Sequence, residues 1–530
     1  MDRELDLADI QGNILQEFVS GYPAARFLLL RITDASRGRQ FVLEYRSKVT
    51  TALRWASSKA FAQKIQTTKP DIAINIGFTF SGFLALELPT RTLARLPPEF
   101  IDGMKKRAAI LGDDRIASDK DGDAVQHWDP VWRTGQAHII IGLNSGIDDA
   151  GNPLPGLDRE TKYLEDLCAK CGLQILRGHG KDNAAWQDAC ALLAPDGNIQ
   201  MEKNKATYKP VPREHFGFID GISNPVFDGQ FGDPHADQMM SIGNGKLFPA
   251  VAGRSDLDRW APLATGEFLL GYPDEAQEVA DMAAPNEIMR NGTFLVFRKL
   301  HENIKSFKDY FDRAAQVYAK ANNVPVADAC MILKAKMAGR WEDGVPVAVA
   351  STIAEWKAFN AKNAGTLGPD WAYTNFTYGD DPHGAKCPVA AHMRRTNTRD
   401  SLTGTSSALN NRRRILRRGQ PYGKTTQDDD GDHGIIFMVM CADIERQFEF
   451  VQQQWINYGL DANAGSDTCP IVGNRRGDSK FIVPVDSKSQ DTPFIAAGMP
   501  QFVEMRGGDY FFLPSMTALR MIGMGTIDPT

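Results

Sequence analysis

Strand signals and helix signals alternate along both halves of this 530-residue chain, and that alternation decides its fold class. In the first half, strand-like runs stand at residues 27–32, 74–88, 138–143 and 173–177. Amphipathic stretches at 37–64 and 158–169 separate them. The second half offers strand-like runs at 268–272, 293–299, 435–441 and 502–513. Its helices are clearer. Ile304, Phe307, Tyr310, Phe311, Ala314 and Val317 recur at three- and four-residue spacing over 302–321, and Phe448, Val451 and Trp455 share one face of 444–455. Gly507-Gly508-Asp509 reads as a hairpin turn between two short strands. A doubly wound nucleotide-binding sheet would need a Gly-rich loop running into a helix. Gly243-x-Gly245 lacks both the third glycine and the helix. The expected fold class is therefore α+β with antiparallel sheets, the two halves being pseudo-repeats of one strand–helix–strand unit.

Length alone suggests two to four domains at about 150 residues each. Hydrophobic residues at 42% and charged residues at 24% are ordinary for a globular protein. A formal net charge of −6 argues against a chain built to grip nucleic acid or an anionic membrane. No apolar run approaches the roughly 18 residues that a membrane span needs. The opening Met1-Asp2-Arg3-Glu4-Leu5-Asp6-Leu7 has no basic segment followed by an apolar one, so a cytoplasmic location is expected, with secretion by another route left open. Seven cysteines are too few for a disulfide scaffold. Cys168 and Cys171 form a CxxC without the second pair that a zinc site needs.

Three segments carry candidate chemistry. In His215-Phe216-Gly217-Phe218-Ile219-Asp220-Gly221, two glycines and apolar neighbours bracket Asp220. Partial desolvation there would prepare the carboxylate to exchange a proton, whereas the plain alternative is a turn cap. His392 follows the small residues Ala390 and Ala391, which would let a flat group approach a metal-binding imidazole; a structural histidine is the alternative. The run Arg412-Arg413-Arg414-Ile415-Leu416-Arg417-Arg418 could be a nucleic-acid patch or a solvated face. Ile415 and Leu416 interrupt it as a core strand would, and alternation puts Arg417 on the face of Ile415. The segments 196–237 and 365–432 are long, polar and glycine-rich, as binding loops often are. Asp428, Asp429, Asp430 and Asp432 are a candidate manganese site or, more simply, a solvated loop.

Taken in order, these segments resemble the dye-decolourising peroxidases, a family of haem enzymes. Gly217-Phe218-Ile219-Asp220-Gly221 matches the family's Gly-x-x-Asp-Gly. Ala390-Ala391-His392-Met393-Arg394-Arg395-Thr396-Asn397 looks like its proximal-histidine segment, and Arg417 with Pro421-Tyr422-Gly423 like its distal-arginine segment. The stretches 9–15 and 441–455 also look like family sequence, and the length resembles the larger fungal-like or long bacterial members.

The resemblance implies two ferredoxin-like domains of the dimeric α+β barrel kind, residues 1–215 and 216–530, with one b-type haem in the second. It implies that His392 binds the iron and that Asp220 and Arg417 face it from the distal side. Asp220 would move a proton between the oxygens of hydrogen peroxide, and Arg417 would stabilise the departing oxygen. The resulting ferryl haem would then oxidise dyes, phenols or other bulky aromatic donors in one-electron steps. Ile435 and Phe437 match residues that wall the pocket. Arg394, Asn397, Gly217 and Gly221 would lie against the haem, with Arg394 a partner for a propionate. In the family a carboxylate just before Pro-Ile-x-Gly supports the proximal histidine, and Asp467, two residues ahead of Cys469-Pro470-Ile471-Val472-Gly473, is the nearest one. A monomer or homodimer without nucleic-acid or membrane partners is expected, and activity should peak below about pH 5. A haem carrier would need His392 but neither Asp220 nor Arg417, and chlorite-decomposing enzymes of the same fold lack the Gly-x-x-Asp-Gly segment.

Overall fold

The computed structural model describes residues 4–18, 21–55, 66–113, 125–195, 208–250, 255–281, 283–363, 371–402, 407–426, 428–465, 467–474, 479–485 and 492–525. The first half forms strand Ala24–Arg31, helix Ala35–Tyr45, strands Ile72–Phe78 and Ile139–Ser145, helix Gly156–Cys171, then short edge strands Gln174–Ile175 and Gln187–Cys190. The second half repeats this order. Strand Thr293–Glu302 leads into helix Ile304–Asn322. Edge strands Leu416–Arg417 and Gln420–Tyr422 and strand Gly434–Cys441 come next, then a helical run over 444–456 and strand Val503–Leu513.

In both units the spatial order is fourth, first, third, second, and every neighbouring pair within a unit is antiparallel. The α+β expectation and the internal repeat both hold. The units join edge to edge where Phe512 pairs with Phe78, giving one ten-stranded sheet. Its outer edges also meet, because the Gln420 amide donates to the carbonyl of Pro23 beside Gln187–Cys190. The sheet thus curls into a barrel with helices outside. Ala24–Leu30 is buried on both faces, because alternate side chains enter the barrel or pack under helices. Inside, the rings of Phe27 and Phe297 meet edge-on at 5.4 Å, and Trp132 lies 5.3 Å from Phe297. Arg298 and Asp113 form a buried two-point ion pair at 2.7 and 2.9 Å.

Three expectations about elements are corrected. The run 74–88 is a strand only to Phe78. Thr79 then caps helix Phe80–Ala85 by accepting the Gly82 N–H at 3.0 Å. Residues 268–272 are no strand; Phe268, Leu269 and Leu270 are buried in a turn, so their apolar character serves packing rather than pairing. Gly507-Gly508-Asp509 is no hairpin. Strand Val503–Leu513 runs through it, with a register shift opposite Lys299 and Leu300. Gly507 sits at φ 130°, and a Cβ there would stand 2.2 Å from Trp132. The glycine therefore makes room for the indole that fills the barrel. Among the described residues, no helix is long and apolar enough to cross a membrane.

Gly507→Ala should destabilise the protein by about 1–3 kcal/mol through overpacking alone, with backbone strain adding to this. Gly135 also has positive φ but open space around it. Gly135→Ala should therefore cost distinctly less in the same denaturation experiment, and equal losses would refute the packing account.

Candidate active site

Two buried carboxylates fix the loop that carries Asp220. Glu214 accepts the Phe216 N–H at 2.7 Å with Oε2 and the Phe218 N–H at 2.6 Å with Oε1. Glu302, at the end of its strand, accepts the His215 N–H at 3.3 Å. Burial raises the pKa of both acids, and the charge of Glu214 raises that of Glu302 further. Phe216 stacks on Phe307 of helix Ile304–Asn322 at 4.2 Å. The backbone N–H of Asp220 donates to Pro212 O at 2.9 Å. Gly217 and Gly221 have φ of 103° and 86°. A turn conformation that disfavours side chains explains both glycines without appeal to a ligand.

Arg417 meets Asp220 from the sheet. Its strand pairs with Gly434–Cys441, Arg417 lying opposite Val439. Alternation places Arg417 on the face of the half-buried Ile435 and Phe437, and sends Arg418 into the barrel. Arg418 donates there to the carbonyls of Asn13 and Ile14 at 2.7 and 2.8 Å. Arg417 Nη1 donates to Asp220 Oδ1 at 2.6 Å, and Nη2 to Ile222 O at 2.6 Å. The Gly221 N–H also reaches Asp220 Oδ1, at 2.7 Å. Burial pushes the Asp220 pKa up, but Arg417, the Gly221 N–H and the more distant His392 outweigh it, leaving it below the usual carboxylate value. The Asp220 side chain is nonetheless 45% accessible. The charge of His392 is felt at Asp220, which groups the two residues in one candidate site.

His392 opens the short helix His392–Thr396. Its Nδ1 lies 3.2 Å from Cys469 Sγ, and Nε2 has no hydrogen bond among the described residues. The expected link from His392 to Asp467 is absent. The main-chain carbonyl of Asp467 instead accepts from Arg395 at 2.7 Å, while Arg395 also donates to the carbonyls of Trp455 and Ile456. Arg395 thus ties the histidine helix to the segment carrying Cys469. Burial pushes the Cys469 thiol up, but the charge and hydrogen bond of His392, then Arg395, bring it down to about 6. That lowering depends on an imidazolium, and an imidazole ligating a metal through Nε2 is neutral.

Arg394 is not an unpaired cation. It pairs with Asp381 at 3.1 Å, donates to the carbonyls of Cys387 and Asp381, and lies over the Tyr378 ring. Asn397 accepts from Asn410 at 2.9 Å. Three arginines that sequence reasoning missed make a cationic cluster instead. Arg340, Arg399 and Arg414 are each at most 5% exposed, and among the described residues none has a carboxylate partner. Arg340 donates to Gly344 O, Tyr373 O and Ser223 Oγ, while its buried Nε has no partner among the described residues. Among the described residues Arg414 reaches only Ser223 O and Gly245 O, at 3.4 and 3.5 Å. Burial and then the charges of Arg399 and Arg417 bring both Arg340 and Arg414 down to about 9. Buried guanidiniums without carboxylate partners are suited to receive an anion.

The other sequence candidates are spent within the fold. Arg412 pairs with Asp274 at 2.9 Å and Arg413 lies over the Phe450 ring. Asp429 accepts from the backbone and hydroxyl of Ser306 at the start of helix Ile304–Asn322, and Asp432 pairs with Lys299 at 3.0 Å. Cys168 and Cys171 are buried thiols whose pKa burial raises. Among the described residues, no three His, Cys, Asp or Glu side chains form a group able to hold a metal ion.

Known proteins share this chain's sequence pattern and fold. The family model for the DyP dimeric alpha+beta barrel domain matches residues 9–152, and that for the Dyp-type peroxidase C-terminal region matches residues 272–484. Multifunctional dye peroxidase DyP2 of Amycolatopsis sp. is 26% identical over 97% of this chain and 96% of its own length. A dye-decolorizing peroxidase of Exidia glandulosa is 26% identical, over 97% of this chain and 86% of its own. The solved structure of a dye-decolorizing peroxidase in complex with 2,6-dimethoxyphenol matches the fold with a TM-score of 0.69 at 23% identity, covering 98% of this chain and all of that one. The two family models together span more than half of the sequence and fall one in each half of the barrel, so the chain belongs to the dye-decolourising peroxidases, oxidoreductases that act on peroxide.

Proposed function

We propose that the chain reduces hydrogen peroxide at one b-type haem held by the second domain, residues 216–530, and oxidises bulky aromatic donors one electron at a time. The observation that supports this reading is the ion pair of Asp220 with Arg417 at 2.6 Å, close enough to His392 for Asp220 to feel its charge. The residues present fit a haem. Nε2 of His392 is open to a metal, Ile435 and Phe437 offer an apolar wall, and the orphaned Nε of Arg340 lies within a cation cluster suited to two propionates. Arg340, Arg399 and Arg414 take the propionate role first given to Arg394, whose charge Asp381 already neutralises.

When bound, the haem supplies an iron that binds peroxide and stores the oxidising equivalents passed to the donor. The rest falls to side chains. Asp220 Oδ1 is occupied by Arg417 and Gly221, which leaves Oδ2 to accept the peroxide proton and return it to the outer oxygen. Arg417 keeps Asp220 ionised in acid and faces the oxygen that departs as water. A positioned donor of that kind is typically worth roughly 3–4 kcal/mol of barrier.

The purified protein should show a Soret band, and His392→Ala should lose it or shift it strongly. Arg340→Ala and Arg414→Ala should release haem faster to a scavenging apoprotein while the fold persists by circular dichroism. An unchanged spectrum in His392→Ala would reject the ligand assignment.

A proton acceptor works in its ionised form, so peroxide turnover should fall as pH drops through the Asp220 pKa. Arg417 lowers that pKa, so the acid limb of kcat/KM should lie below the ordinary carboxylate value of about 3.9. Arg417→Leu removes the opposition to burial and should move the limb to higher pH. Asp220→Asn should lose about 10²–10⁴-fold in kcat/KM and show no such limb. A limb at the same pH in Arg417→Leu would separate Asp220 from the titrating group.

A further inference from the structure

The surroundings of His392 depart from the pattern that the resemblance implied. A carboxylate was expected just before Pro-Ile-x-Gly, and the residue at that place is Cys469, followed by Pro470-Ile471-Val472-Gly473. Asp467 stands two residues too early, and its carbonyl is the group engaged, by Arg395. Cys469 is wholly buried. Its N–H donates to Ile456 O at 2.7 Å, and its carbonyl accepts from the Gly473 N–H at 3.1 Å. The backbone is pinned on both sides of the residue, which aims Sγ at His392 Nδ1, 3.2 Å away.

An imidazole that ligates through Nε2 carries its proton on Nδ1, and the group accepting that proton sets both ring orientation and ligand basicity. A carboxylate is a strong, charged acceptor, whereas a cysteine sulfur is a weak one. We propose that Cys469 is the positioning residue for His392, holding the ring through an N–H···S contact in the place of a carboxylate and leaving it a less basic ligand. This rests on the reading of His392 as the haem ligand. It follows that the iron receives less electron density from its protein side, which stabilises the reduced metal and raises the reduction potential.

The test uses the haem-loaded protein and its Cys469→Asp, Cys469→Ser and Cys469→Ala variants. Two quantities are measured besides turnover: the iron–histidine stretching frequency of the ferrous protein by resonance Raman, and the ferric/ferrous midpoint by spectroelectrochemistry. Cys469→Asp should raise the frequency and lower the midpoint. Cys469→Ser, another weak neutral acceptor, should stay close to the parent, and Cys469→Ala should broaden the band as the ring loses its anchor. A merely structural cysteine would move neither quantity on replacement by Asp. A frequency and midpoint common to every variant that takes haem would overturn the proposal. His392→Ala in the same series separates the failures: a parent without haem, or one whose spectrum ignores His392, defeats the underlying reading instead.

Discussion

Arg417 and Arg418 are neighbours in sequence and point to opposite faces of one sheet. That two-residue period organises the molecule around the candidate site. One arginine enters the barrel and ties it to the N-terminal segment through Asn13 and Ile14. The next one outward meets Asp220, and Ile435 and Phe437 line the same face. A slip of one residue in the pairing with Gly434–Cys441 would bury the wrong guanidinium and expose the wrong apolar pair. The barrel and the site are therefore specified by the same hydrogen-bond register, so neither can be altered alone.

The distal loop shows how rigidity is obtained where there is no regular secondary structure. Residues 213–222 lack a sheet ladder, yet Glu214 binds two backbone N–H groups and Glu302 a third. Burying two acids costs free energy, as the raised pKa of each records. That cost is offset by three directed bonds that fix the backbone just ahead of Asp220. Arg417 and the Gly221 N–H then favour the ionised form of Asp220. That carboxylate is thus held by the loop and kept charged largely from the sheet.

Much of this was legible in sequence, and the reason differs from residue to residue. Asp220 stood out because the turn needs glycines on either side, and Arg417 because Ile415 and Leu416 set a strand period around it. The helix over 304–322 was visible in its apolar spacing, although Val317, counted on that face, is 62% exposed. Arg340 and Arg399 gave no local signal, since their meeting with Arg414 depends on contacts over long chain separations. Arg394 was misread because its neutralising partner, Asp381, lies in an irregular segment. Asp467 was preferred over Cys469 because a carboxylate was sought. The geometry favours the residue at the right place with a different chemistry. Gly507 and Gly508 carry the composition of a turn, and only the Trp132 indole reveals that they permit a bulge.

Buried arginines give the second half of the chain an energetic direction. Cations buried without anionic partners destabilise a fold, since desolvation is not repaid by attraction. Arg340, Arg399 and Arg414 form no ion pair among the described residues and satisfy donors with carbonyl oxygens instead. Burial lowers the pKa of all three: to about 9 for Arg340 and Arg414, where the charges of Arg399 and Arg417 add to it, and to about 10 for Arg399, where Tyr378 and Asp400 partly offset it. An anion seated against them would relieve that cost and bind the folded state alone, so its affinity and the stability of the fold would be linked quantities. On the proposed reading, His392 and Asp220 then need little energy of their own to attract the ligand. Their geometry can be set by the chemistry, with the arginines supplying the hold.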